Sequence, residues 1–210
     1  MEGVEKPGKS NTIANRQSED ARLAFEQLVE RATQGDQDAL CNLCEKIAKS
    51  VLFQVTHFLG GGQDGVEDVS QEVLVRVCEN IGDLRSAKAF KVWLSRIIIN
   101  EKNRYLAKNA KRTEVLNIED YLENITEDNG EFLPQECAES AELRRAVMDI
   151  IDGLSMRQRE AILLYYYEGL SVTQIAEAME VTVQSASKHL ILAREKLRRA
   201  LRESTLDGRV

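Results

Sequence analysis

Two prolines in 210 residues, two histidines and an aromatic content of 5% set narrow bounds on this chain. With so little proline and few stretches of strand-type alternation, an all-α protein is expected. His57 and His189 stand far apart and away from paired carboxylates, and there is no GxxxxGK phosphate loop. Neither a histidine-based acid–base site nor a phosphate-binding motif is recognisable, and the chain is not expected to be an enzyme. No run approaches the ~18 apolar residues of a membrane span, and no apolar h-region follows Met1, so a cytoplasmic location is expected. Four cysteines do not make a disulfide framework in a chain of this size. Cys41 and Cys44 form a CxxC, but they share helical periodicity with Leu40, Leu43 and Ile47, and the second CxxC of a zinc ribbon is missing. Core packing is the expectation for this pair, with redox or metal sensing as the alternative. No metal and no cofactor are expected.

What the chain does have is charge, sorted into blocks. Its hydrophobic content of 43% suffices for packed cores, and its net charge of −7 would ordinarily argue against a nucleic-acid partner. That average conceals segregation: acids crowd into 64–83 and 113–139, bases into 88–112 and 188–202. Opposite charge blocks on one chain point to two kinds of partner.

Residues 1–20 are polar, contain Gly3, Pro7 and Gly8, and show no periodicity, so a disordered tail is expected. Helix signals begin near Ala21. Asp36 is the expected N-cap of a long helix with Leu40, Leu43, Cys44, Ile47, Val51 and Val55 at spacings of three and four, ended by the glycines at 60–62. Asp64 with Glu67 is a carboxylate variant of the capping box. At 100° per residue, Val66, Val69, Val73, Val77 and Ile81 form one stripe, with Asp68, Gln71, Glu72, Val75 and Glu79 opposite. Such an acidic face is either solvated or a docking surface, and Val75 among the acids favours docking.

After Gly82 a further helix is expected from about Phe90. Phe90, Trp93, Leu94, Ile97, Ile98 and Tyr105 project to one side, and Arg96, Asn100 and Asn103 to another. From Lys88 to Arg112 eight Lys or Arg face a single acid, Glu101. Arg and Asn read base edges and hold phosphates, so this density favours nucleic-acid contact over a merely solvated helix. From Thr113 to Glu139 there is no Lys or Arg, while Gly130 and Pro134 break any helix. This stretch is a flexible acidic linker, either a solubilising spacer or a strand that occupies a basic channel.

The domain from 140 to 203 opens with SAELRRAVMDIIDGL. Ser155 with Gln158 and Ser171 with Gln174 are two expected capping boxes. TQIAEAM, a tight turn at Glu180–Val181, Thr182 as N-cap and a long basic helix make a helix-turn-helix. Ile175, Met179, Val181, Val183, Ala186 and Leu190 are its expected core. Gln184, Ser185, Ser187 and Lys188 sit where a recognition helix meets base edges, and Arg194 and the basic residues beyond it would neutralise phosphates.

Two blocks carry one resemblance. EDVSQEVLVRVCENI…AFKVWLSRIIIN resembles region 2, and LSMRQREAILLYYYEGLSVTQIAEAMEVTVQSASKHLILAREKL region 4, of the bacterial sigma-70 family in its small extracytoplasmic-function group. The resemblance implies a factor that binds core RNA polymerase and directs transcription initiation at −10 and −35 promoter elements. It implies a region 2-like domain at 21–112, an acidic linker at 113–139, a region 4-like domain at 140–203 and a tail at 204–210. Asp68, Gln71, Glu72, Val75 and Glu79 would then dock polymerase. Phe90, Trp93, Arg96, Asn100, Asn103 and Arg104 would recognise and melt the −10 element, and Thr182, Gln184, Ser185, Ser187, Lys188 and Arg194 would read the −35 element. An anti-sigma factor is a further partner that the resemblance implies. Glu180 stands where the family commonly has Gly, which costs on the order of 1 kcal/mol at positive φ. The alternative is a stand-alone helix-turn-helix regulator that uses only the C-terminal domain.

Overall fold

The computed structural model describes residues 10–110 and 141–206, with side chains over 19–109 and 144–202. The expected linker at 113–139 lies outside the described residues. Those described form helices α1 (Ser10–Thr33), α2 (Gln37–Phe58), α3 (Val66–Asn80), α4 (Phe90–Ala110), α5 (Ala141–Asp152), α6 (Met156–Tyr166), α7 (Val172–Met179) and α8 (Val183–Leu206). Two short 3-10 turns, Ile81–Asp83 and Ala87–Ala89, join α3 to α4. No described helix is long and apolar enough to cross a membrane. Helix α1 begins at Ser10, well ahead of the expected start near Ala21, so residues 10–20 are helical where a disordered tail was expected. The breakers Pro7 and Gly8 lie before Ser10 and none follows until Gly35, so a helix anchored by Val29 and Ala32 can propagate back to that point.

Asp36 starts α2 as its pattern predicts. Its carboxylate accepts the Ala39 N–H at 3.0 Å and pairs with Arg31 across the turn at 2.6 Å. Leu43, Ile47, Val51, Val55 and Phe58 then bury one face of α2 against α3 and α4. The α3 stripe is as patterned: Val66, Val69, Val73, Val77 and Ile81 are all buried. Full burial of an aliphatic side chain contributes about 1.5–3 kcal/mol relative to exposure, so this stripe fixes which face of α3 turns outward.

Asp64 does not cap α3. The cap position belongs to Gly65 at φ +75°, with no side-chain hydrogen bond. The Tyr105 ring lies where a Cβ on Gly65 would be, so both the backbone angle and the space require glycine. Ser155 likewise makes no capping hydrogen bond, and the reciprocal half of that box is lost because Gln158 is drawn inward and accepts from Lys196 Nζ at 2.9 Å. Ser171 and Gln174 do form the reciprocal box at the start of α7. Helix α7 ends at Glu180, which adopts the left-handed conformation (φ 54°, ψ 45°) inferred for the helix-turn-helix turn. Ile175, Met179, Ala186 and Leu190 are buried as expected, but Val181 is half-buried and Val183 is 45% exposed. Val183 is the first residue of α8, beyond the reach of α7.

The expected two-sided division of α4 also needs correction. Phe90, Leu94 and Ile98 are buried, but so are Val92, Ser95, Ile99, Glu101 and Lys102. Helix α2 and α3 cover one side, and α6 and α7 lie against the other. A helix apolar on most of its circumference belongs between two layers.

The Asp36 carboxyl is held below its ordinary value of 3.8 by the Ala39 N–H and then by Arg31. A carboxyl with depressed folded-state pKa contributes its stability above the ordinary value and loses it as pH falls through the folded one. Asp36→Ala is therefore expected to lower the urea midpoint at pH 7, with the gap to wild type narrowing below pH 3.8. An unchanged gap at acid pH would show that the carboxylate charge plays no part.

Candidate nucleic-acid interface

With most of its valines turned inward, α3 exposes Asp68, Gln71, Val75 and Glu79 to solvent, and Glu72 partly. Val75 is 47% exposed, one of few large apolar side chains so placed. Arg76, which the sequence reading left unassigned, ties the face together. It pairs with Glu72 and Glu79 at 2.8 Å each, and its Nε lies 3.4 Å from the buried Glu101 of α4. A cleft of about 480 Å³ runs between α3 and α4, with Asp68 and Glu72 on one wall and Arg104 and Lys108 on the other.

The residues expected on the −10 surface divide into three settings. Phe90 is 2% exposed, edge-on to Phe25 at 5.6 Å and tilted against Trp93 at 5.8 Å. It therefore supports Trp93 from below and offers no ring face to solvent. Trp93, Asn100 and Arg104 line a second cleft of about 470 Å³, with Asn80, Asp83 and Ile97. Arg104 is anchored there by Glu101 at 2.8 Å, and Asn103 is half-buried. Arg96 is on the flank that meets α7, where it pairs with Glu177 at 3.0 Å and approaches Glu180 at 3.9 Å.

In the helix-turn-helix, Thr182 Oγ1 accepts the Ser185 N–H at 3.2 Å and so caps α8. Gln184 is exposed, and Ser185, Ser187 and Lys188 are partly so. Arg194 is drawn back over the Tyr165 ring, with its guanidinium carbon 4.7 Å from the ring centroid, and it lies 5.5 Å from that of Tyr166. Such stacking lets a charged head sit against apolar surface.

The Sigma-70 region 2 family matches residues 43–112 and the Sigma-70 region 4 family matches 144–197. The ECF RNA polymerase sigma-E factor of Haemophilus influenzae is 30% identical over 186 residues, covering 84% of this chain and 94% of the relative. That of Escherichia coli K12 is 30% identical over 181 residues, with 84% and 93% coverage. The RNA polymerase sigma-H factor of Pseudomonas aeruginosa is 28% identical over 187 residues, again with 84% and 93%. The chain belongs to the sigma-70 family, in its extracytoplasmic-function group. Among solved structures, CnrH in complex with the cytosolic domain of CnrY aligns with a TM-score of 0.57 at 24% identity, covering 86% of this chain and 98% of that one. RpoE in complex with the anti-sigma factor NepR from Bartonella quintana aligns with the same TM-score at 19% identity, covering 76% and 94%. These likenesses bear out the all-α fold and the two sigma regions. The protein is a sigma factor, and its function is to direct transcription initiation; nothing supports a stand-alone regulator.

In this sigma factor the two regions lie against each other along a polar seam that the sequence reading missed. Lys102 of α4 and Glu160 of α6 form an ion pair with both side chains fully buried. Lys102 Nζ also meets Met156 Sδ at 2.9 Å, and Arg157 reaches Glu160 at 3.2 Å. Burial pushes the Lys102 ammonium below its ordinary range, and the Glu160 charge opposes that shift. Further along, Glu168 Oε1 accepts from Gln54 at 2.9 Å and Ser50 at 3.2 Å, while its carbonyl accepts from Lys91 at 2.8 Å. His57 Nδ1 lies 2.8 Å from Asp152 Oδ1, Arg159 donates to the His57 carbonyl at 2.9 Å, and Tyr167 stacks on Phe53 at 4.3 Å. One local signal was present: Val92, Ile98 and Ile99 leave α4 too apolar for a helix with one wet side.

Removing one member of a buried pair costs about 3–5 kcal/mol, because the other charge is left without compensation. Lys102→Met is expected to lower resistance to urea by that order and to enlarge the radius of gyration in X-ray scattering. Lys102→Met with Glu160→Leu should recover most of both, and failure to recover would show that the pair is not the cause.

Proposed function

We propose that the outward face of α3, Asp68, Gln71, Glu72, Val75 and Glu79, is where this sigma factor docks core RNA polymerase. The observation that carries this is the orientation of α3: five buried aliphatic side chains leave four of these residues exposed, with an apolar centre at Val75. Apolar centre and charged rim are the anatomy of a protein–protein interface. Trp93, Asn100, Asn103 and Arg104 along α4, with Phe90 bracing Trp93, engage and open the −10 element. Thr182, Gln184, Ser185, Ser187 and Lys188 at the start of α8 read the −35 element, and Arg194 contacts phosphate after it leaves Tyr165. The domain limits 21–112 and 140–203 follow the same division. Stacking an unpaired base on an aromatic contributes roughly 1–3 kcal/mol, comparable with the cost of unpairing it, so melting needs no ATP and no catalysis. We place the protein in the cytoplasm, with core polymerase and promoter DNA as partners.

In the arrangement described, Arg96 is turned toward Glu177 and Glu180 of α7, and α7 lies along α4. Arg96 would therefore exchange these exposed carboxylates for DNA phosphate when the two regions part, which polymerase would bring about by holding them at separate sites. An anti-sigma factor that grips the closed form is a further partner; the similar RpoE structure is of a sigma factor in complex with the anti-sigma factor NepR.

The combined substitution Asp68→Arg and Glu72→Arg should abolish co-elution with purified core polymerase and reduce run-off transcription at least ~10-fold, with helix content by circular dichroism unchanged. Unimpaired transcription would remove α3 as the docking face. The free chain, at net −7, should bind promoter duplex weakly at physiological salt. A strong mobility shift without polymerase would contradict the closed, internally neutralised state.

A further inference from the structure

Cys41 and Cys44 share a CxxC on α2, but the neighbour of Cys44 is on another helix. Its Sγ lies 3.6 Å from the Sγ of Cys78, which is 34 residues away at the end of α3. Cys41 is exposed, so core packing describes at most Cys44. The thiols are brought together by helix packing: Leu43 and Ile47 on α2 and Val73 and Val77 on α3 are buried beside them. Among the described residues no group of three or more His, Cys, Asp or Glu could hold a metal ion, which leaves sulfur–sulfur chemistry for the cluster.

We propose that Cys44 and Cys78 form a dithiol–disulfide couple, closed by hydrogen peroxide and reopened by a low-molecular-weight thiol, that fastens the last turn of α3 to α2. A disulfide needs the sulfurs at about 2.05 Å, so each must move by less than about 1 Å from the observed contact. The two thiols differ in access. Cys78 is exposed and meets the oxidant first; Cys44 is half-buried. Burial, and then the contact with Cys78, push the Cys44 thiol up to about 12, so it keeps its proton at neutral pH. In the forward reaction the Cys78 sulfur attacks one peroxide oxygen, the O–O bond breaks, and Cys78 sulfenic acid and one water form. The Cys44 sulfur then attacks the sulfenic sulfur; the S–O bond breaks and its hydroxyl leaves with the Cys44 proton as a second water. Two thiols are oxidised and one peroxide is reduced. Two molecules of an external thiol reverse the change, becoming one external disulfide while both cysteines regain their protons.

The crosslink sits one residue from Glu79, so this couple adds a covalent control at the rim of the α3 face. Its chemistry does not depend on the assignment of that face to polymerase.

The test uses the full chain carrying Cys137→Ser, which removes the fourth cysteine. After hydrogen peroxide treatment and alkylation, tryptic mapping should find peptides 32–46 and 77–85 joined with loss of two hydrogens in the monomer. The link should persist in Cys41→Ser, disappear in Cys44→Ser and in Cys78→Ser, and open with dithiothreitol. Oxidation should raise the thermal midpoint by about 5 °C in the background chain and in Cys41→Ser, but not in Cys78→Ser. A Cys41–Cys44 or Cys41–Cys78 link, an intermolecular link, or peroxide products on Cys78 without a link would each overturn the proposal. Because 32–46 carries both Cys41 and Cys44, fragmentation of the joined peptides should place the alkyl group on Cys41, so the background chain decides the pairing even where a variant fails to fold.

Discussion

Lys102 and Glu160 meet where neither touches solvent, and most of the arrangement depends on that pair. Two charges taken out of water are costly to bury and costlier to separate. They are tolerated because α4 is sandwiched, with α2 and α3 on one side and α6 and α7 on the other. Helix α4 is thus both the core of region 2 and a wall of region 4. The helix that carries Trp93, Asn100 and Arg104 is also the one that senses where the second region lies.

The same constraint explains how a chain of net charge −7 carries surfaces suited to nucleic acid without exposing them freely. Arg96 is matched by Glu177, Arg104 by Glu101, Lys91 by Glu168 and Lys102 by Glu160. A pair exposed on both sides, as Arg96–Glu177 is, is worth about 0–1 kcal/mol and is screened by salt, so a partner that competes for the carboxylate can release it. The buried pair is of another order. A closed form locked at one point and loosely matched elsewhere suits the opening on polymerase proposed above.

Legibility in the sequence followed the range of the interaction. The valine stripe of α3, the Asp36 cap, the Ser171–Gln174 box and the left-handed Glu180 are set by neighbours within about one turn, and all were legible. Asp64 and Ser155 carried the same kind of signal and do not cap. In the first case Tyr105, forty residues on, leaves room only for a glycine at position 65; in the second Lys196 holds Gln158. The CxxC drew notice to Cys41 and Cys44, whereas spatial proximity selects Cys44 and Cys78. Phe90 reads as one of a run of aromatics on a basic helix, and only packing against Phe25 shows that it lies beneath the surface.

By itself the sequence determined the helices, their order, the outward acidic face of α3 and the helix-turn-helix with its tight turn. Each of these rests on hydrophobic period, capping or backbone angle, which act along a few residues of chain. Tertiary structure alone decided which of the many charges are available. Whether Arg96 faces solvent or Glu177, and whether Lys102 is a surface base or a buried counter-ion, depends on carboxylates more than fifty positions away. No local pattern encodes such a distance, because burial and ion pairing are properties of the packed interior and not of the segment.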